Sequence, residues 1–157
     1  MKIGKAVIAL MAAGALLLLA NGKDVYARDG FIGRLTLNSL VGKPGGYLTM
    51  TFNVDNPTDM RYWADGCLTP KIYYTIWPAD DNYFNKAGEG YLKSTGAQCV
   101  PEHSNVTFGI GNIRLVTLRG TPLPVGFYKI EVYCVGFVGD NKEKVYAIGD
   151  AVFSVLP

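Results

Sequence analysis

The sequence predicts an all-β domain, a sandwich of about seven short strands behind an N-terminal signal peptide. Three observations predict it. After residue 27 the chain is rich in Val, Ile, Thr, Tyr and Phe, and Gly, Pro, Asn and Asp interrupt it at short intervals. The clearest runs alternate apolar and polar residues with period two, and no window holds a sustained helical period. The first 27 residues read differently, as a basic and then apolar leader.

Lys2 and Lys5 give the leader a positive start, and Val7 to Ala20 is unbroken apolar sequence. That run suits the core of a secretory signal and falls short of the roughly 20 residues a membrane-spanning helix needs. Cleavage after Ala27 follows Val25 and Ala27 at the two recognition positions; Ala20 is the alternative. The expected organisation is signal peptide 1–27 and a single β-sandwich domain 28–157, located outside the cytoplasm as a secreted, periplasmic or cell-surface protein. The leader holds three of the 15 Lys and Arg and one of the 13 Asp and Glu, so the mature chain carries twelve of each sign. A neutral domain lacks the electrostatic footprint of a nucleic-acid or anionic-membrane binder. No span is expected in the mature chain.

The strands follow in order. Phe31 to Leu37 is the first, and Gly42-Lys43-Pro44-Gly45-Gly46 turns the chain into the second, Tyr47 to Val54. There Leu48, Met50, Phe52 and Val54 form one apolar face. Asp55 to Asp59 is a turn, Lys71 to Trp77 the third strand, and Pro78 to Asn82 closes it. Tyr91 to Lys93 reads as a short edge strand. Asn105 to Ile110 and Ile113 to Leu118 read as a pair, or one bent strand, interrupted at Gly111. Phe127 to Val138 is the clearest strand, and Gly139-Asp140-Asn141 joins it as a hairpin to Lys144 to Leu156.

Leu123-Pro124-Val125-Gly126-Phe127-Tyr128-Lys129-Ile130-Glu131-Val132 resembles the start of the sixth strand in immunoglobulin-like and fibronectin III-like domains. The resemblance implies that sandwich fold and gives Tyr128 the structural role of a tyrosine corner, its hydroxyl tied to nearby backbone. Ile130, Val132 and Cys134 share its inward face.

Cys67, Cys99 and Cys134 allow one disulfide and leave one thiol over. In an exported protein a bridge is the default. Cys134 reads as core, where a thiol behaves as a small hydrophobe. Cys67 and Cys99 lie in loop-like sequence, so Cys67–Cys99 is the expected pair; Cys67–Cys134 is the alternative. The cysteines lie too far apart for a metal-binding spacing, and His103 is the sole histidine. No nucleophile elbow, phosphate loop or dinucleotide fingerprint occurs. The expectation is a non-enzyme without catalytic residues, cofactor or metal.

Tyr62, Trp63, Trp77, Tyr83, Phe84 and Tyr91 cluster in one third of the chain, around loops. Loop aromatics suit a surface that stacks on sugar or anchors a protein. Tyr62, Trp63, Tyr83 and Phe84 are the candidate contacts, with the turn residues Asn56, Pro57 and Thr58. Phe52 to Asp59 followed by Leu123 to Tyr128 is similar, in order and spacing, to the intracellular proteinase inhibitors of bacilli and their exported relatives. That resemblance implies a protease inhibitor. The expected function is an exported, non-enzymatic module that binds a protein or glycan or serves a structural role at the cell surface. The alternatives are the inhibitor and a filament subunit whose Arg28 to Leu40 segment completes a neighbour's sheet.

Overall fold

The computed structural model describes residues 31–64, 71–80, 85–138 and 143–157, with backbone only at 143 and 144. The predicted leader, Cys67, Tyr83, Phe84 and the 139–141 turn lie outside the described residues.

Ten strands form: β1 (Ile32–Leu37), β2 (Val41–Gly42), β3 (Tyr47–Asn56), β4 (Tyr62–Ala64), β5 (Ile72–Pro78), β6 (Gly88–Ser94), β7 (Cys99–Val100), β8 (Ser104–Arg114), β9 (Gly126–Val138) and β10 (Glu143–Val155). They pair as one curled mixed sheet in the order β1-β3-β8-β6-β5-β9-β10-β2, with β4 joined to both β7 and β9. Only β2 with β10 is parallel among these pairings. The protein is therefore all-β over the described residues. The expected seven strands are present, with β6 inside the sheet between β8 and β5 rather than at an edge and β8 ending at Arg114 rather than Leu118; β2, β4 and β7 are additional.

Period two explains the long strands. On β3, Leu48, Met50, Phe52 and Val54 are buried, and Asn56 continues their phase into the interior. On β9, Tyr128, Ile130, Val132, Cys134, Gly136 and Val138 point inward while their neighbours face out. The expected break at Gly111 is absent: Gly111 sits in the ladder opposite Met50. The irregularity comes earlier, where Phe52 faces Gly109 but Asn53 faces Thr107, leaving Phe108 as an extra residue. A bulge inserts one such residue and bends its strand, and here it buries Phe108 completely.

Two features curl the sheet around its core. β6 pairs with β5 over Gly88 to Leu92 and then with β8 at Lys93 and Ser94, carrying the sheet from one half to the other. At the far border β1 meets β10 through two glycines. A Cβ on Gly33 would lie 2.6 Å from the Ile148 carbonyl oxygen, and one on Gly149 would lie 2.9 Å from that of Gly33. Any larger residue would hold the two backbones apart. Inside, Tyr62 packs on Phe31 at 5.2 Å between ring centres and meets Phe108 edge-on at 6.0 Å. The Tyr62 hydroxyl donates to the Cys134 carbonyl at 3.2 Å. Tyr128 stacks on Phe153, and its hydroxyl donates to the Pro124 carbonyl at 2.9 Å.

Candidate binding surface

The surface begins where β3 ends. Asn56 is buried, and its amide organises the turn that follows. Its Oδ1 accepts from the Thr58 amide at 3.1 Å and the Thr58 hydroxyl at 2.7 Å. Its Nδ2 donates to the carbonyls of Met60, Pro101 and Val100 at 2.7, 3.0 and 3.2 Å. The first pattern is an Asx-turn. The second ties turn 57–60 to the segment leaving β7. One side chain thereby fixes two loops against each other.

Across that junction Asp59 Oδ1 lies 2.7 Å from His103 Nε2, and Arg61 lies 3.6 Å from Glu102. His103 holds a left-handed backbone, φ +51°, which non-glycine residues adopt at a cost. Its amide donates to the Thr58 carbonyl at 3.4 Å. Neighbouring Ser104 turns its hydroxyl to the Pro101 carbonyl at 2.7 Å, so Ser104 is committed to backbone rather than to the His103–Asp59 pair. The Arg61 guanidinium lies over the Trp63 ring, 5.7 Å from its centre. Pro57 is exposed, and Met60 and Trp63 are 45% and 48% exposed. The result is an ordered tip carrying Pro57, Met60 and a Trp63–Arg61 pair, edged by the Asp59–His103 contact and the Arg61–Glu102 ion pair.

The sequence candidates divide here. Pro57, Thr58 and Trp63 come together at the tip. Asn56 and Tyr62 do not belong to a contact surface: both are buried, Asn56 because its amide is used on five backbone and hydroxyl groups, Tyr62 because it fills the core. Met60, Arg61, Glu102 and His103 join the tip without having been named as contacts. Their sequence signal was faint, since residues some 40 apart meet only because β4 pairs with β7. Cys99, half-buried on β7, faces Trp63 across that ladder, and no disulfide forms among the described residues. Cys134 is core.

From Trp63 an aromatic stripe runs along the outer face of β9. Trp63 pairs with Phe137, Tyr146 with Val135, and Tyr133 with Tyr73 and Ile148; Tyr91 adjoins Tyr73. The Tyr91, Tyr73 and Tyr133 rings are 4.8 and 5.1 Å apart, the spacing of the strands themselves. They stand side by side, Tyr73 stacked on Tyr133 at 13° between planes and Tyr91 tilted by 50° against Tyr73. Burial, followed by the neighbouring Tyr73, pushes the Tyr133 hydroxyl above its ordinary pKa. An open groove of about 570 Å³ lies at the opposite end of β9, lined by Pro78, Asp80, Val125, Phe127 and Val152 among others.

The chain matches no known family model and no curated protein. Among solved structures it is similar to the Pseudomonas fluorescens alkylpurine DNA glycosylase AlkC bound to DNA containing an abasic site analog. Identity is 14%, TM-score 0.47, covering 80% of this chain and 30% of that one. It is also similar to Spo0M, sporulation control protein, from Bacillus subtilis, at 11% identity and TM-score 0.47, covering 81% of this chain and 49% of that one. The chain spans less than half the length of either.

Proposed function

We propose that this protein is an exported, non-enzymatic module with an immunoglobulin-like sandwich fold that grips a protein partner with the tip around Asn56. The strand order supports the fold reading. β1-β3-β8-β6 and β5-β9-β10 follow the two-sheet order of immunoglobulin domains, and the Tyr128–Pro124 bond has the form of their tyrosine corner. The observation that carries the function is the tip. Trp63, Arg61 and Met60 stand exposed on a turn already ordered from within by Asn56. Trp, Arg and Met are enriched at protein interfaces, and a pre-ordered loop loses little entropy on binding. A protein fits better than a glycan, because Arg61 already occupies a face of the Trp63 ring that a sugar would use. The exported setting rests on the leader and is read directly by N-terminal sequencing of the protein recovered from the source cells.

The test is quantitative capture from an envelope extract of the source organism, with Trp63→Ser and Met60→Ser together as the comparison. A protein retained by the native chain and lost about tenfold or more by the variant supports the reading. Equal retention by both, or retention of polysaccharide alone, overturns it. The inhibitor reading draws on the same ordered Pro57 turn, and a panel of serine and cysteine proteases separates it: micromolar inhibition relieved by the same double variant makes the partner a protease.

A further inference from the structure

The aromatic stripe on β9 is larger than the tip needs. Beyond Trp63 it continues through Tyr146, Tyr133, Tyr73 and Tyr91, the last 67% exposed. Beside the tyrosines lies a second row across the same strands: Glu89, Thr75, Glu131 and Asp150. Lys86 pairs with Glu89 and Lys129 with Asp150, each at 3.1 Å. Those charges are thus matched within the molecule, and Glu131 remains as a carboxylate beside tyrosine hydroxyls.

We infer that this face binds a second copy of the chain. Three properties of the face support a self-contact. The first is area. About nine residues each of β9 and β10, seven of β5 and five of β6, at about 4.8 by 3.4 Å per residue, give a footprint of roughly 500 Å² per copy. Two copies bury roughly 1,000 Å², the size of a weak, transient contact. The second is complementarity. A two-fold contact sets one patch against itself, so the patch must hold both partners of every polar contact. Here Tyr73, Tyr91 and Tyr133 carry hydroxyl donors and the Glu131 carboxylate is an acceptor, so one patch can serve both sides. The third is charge. The full chain carries a formal net charge of +2, and the residues after Ala27 balance to zero, so long-range repulsion between copies is small. The modest area fits a reversible dimer rather than an obligate one. Two tips on one particle would then engage a repetitive partner together, raising avidity without any new contact.

Sedimentation velocity tests this on the chain from Arg28 onward, which holds every described strand, between about 1 and 500 μM. The expected result is a concentration-dependent shift from monomer to dimer. Tyr91→Glu, at an exposed site, weakens the dimer at least about tenfold, and Met60→Ser, on the tip and outside the stripe, leaves it within about threefold. A monomer throughout the range overturns the inference, as does a dimer that Tyr91→Glu leaves unchanged, which would place the contact on a sheet edge. Loss of dimer with partner capture intact, or the reverse, separates this inference from the reading of the tip.

Discussion

Asn56 shows how much one side chain can decide. It lies in phase with Leu48, Met50, Phe52 and Val54, and so is carried into the interior by the same alternation that buries them. A buried amide must find partners, and this one satisfies three carbonyls from two loops while accepting two bonds from Thr58. Replacing it with Ala leaves those carbonyls short of a donor. At about 1 kcal/mol for each bond, plus the cost of unpaired buried groups, Asn56→Ala should lower stability by about 2–4 kcal/mol. Asn56→Asp keeps the acceptor but loses the donors, and should also destabilise. Urea unfolding monitored by tryptophan fluorescence measures both, and an unchanged midpoint in the Ala variant would show that the two loops hold without the amide. The residue was visible in the sequence as part of an Asn-Pro-Thr turn, but its role was not. Nothing local distinguishes an Asn that faces solvent from one aimed at Val100 and Pro101, more than 40 residues away.

At the scale of elements, legibility followed length. β3, β5, β9 and β10 end within two residues of the expected bounds, β3 and β9 announced by apolar alternation, while β6, Gly88–Ser94, is legible only as Tyr91 to Lys93 and β8 ends at Arg114 rather than Leu118. β2, β4 and β7 span two or three residues, too few for any period, and exist because β10, β9 and β4 in turn offer them a ladder. β4 explains why the tip was only half legible: its pairing with β7 brings Arg61 and Trp63 to Glu102 and Cys99. The bulge at Phe108 is masked in the sequence because Gly111, three residues on, is the more obvious breaker. β1 bears on the filament alternative. Its six register pairs with β3 and its seam with β10 place the segment in its own sheet, so donating it to a neighbour requires removing it first. The seam is closed by the absence of side chains. Gly33→Val should therefore force β1 away from Ile148 and lower stability by about 1–3 kcal/mol, the usual range for overpacking. Urea denaturation measures the loss. Size-exclusion chromatography of the same variant shows whether a loosened β1 permits strand exchange; wild-type stability in this variant would mean that the seam is not tight.

For the whole molecule, the sheet wraps one core and leaves several tyrosines partly withdrawn from water, and this gives its stability a pH dependence with a definite sign. Burial raises the pKa values of Tyr74, Tyr128 and Tyr133 above the ordinary value; Asp80 adds to the rise at Tyr128, and Tyr73 to that at Tyr133. In the unfolded chain these hydroxyls ionise near the ordinary value of about 10. In the folded chain they keep their protons to higher pH. Above about pH 10 the unfolded state therefore binds fewer protons than the folded one, and linkage makes stability fall as pH rises. The contribution is fully present below that value and is lost as pH climbs through the raised folded values. Urea midpoints should be level with respect to these groups from pH 8 to 9 and decline beyond about 10. Absorbance at 295 nm should show a fraction of the ten tyrosines titrating late in the folded protein and together with the rest in urea. Lysines also titrate in this window, so the assignment needs Tyr74→Phe and Tyr133→Phe, which remove the hydroxyls. Each should reduce the late-titrating absorbance and flatten the decline, because the phenolate that favoured unfolding can no longer form. A decline as steep in both variants as in the native chain would assign the pH dependence to other groups.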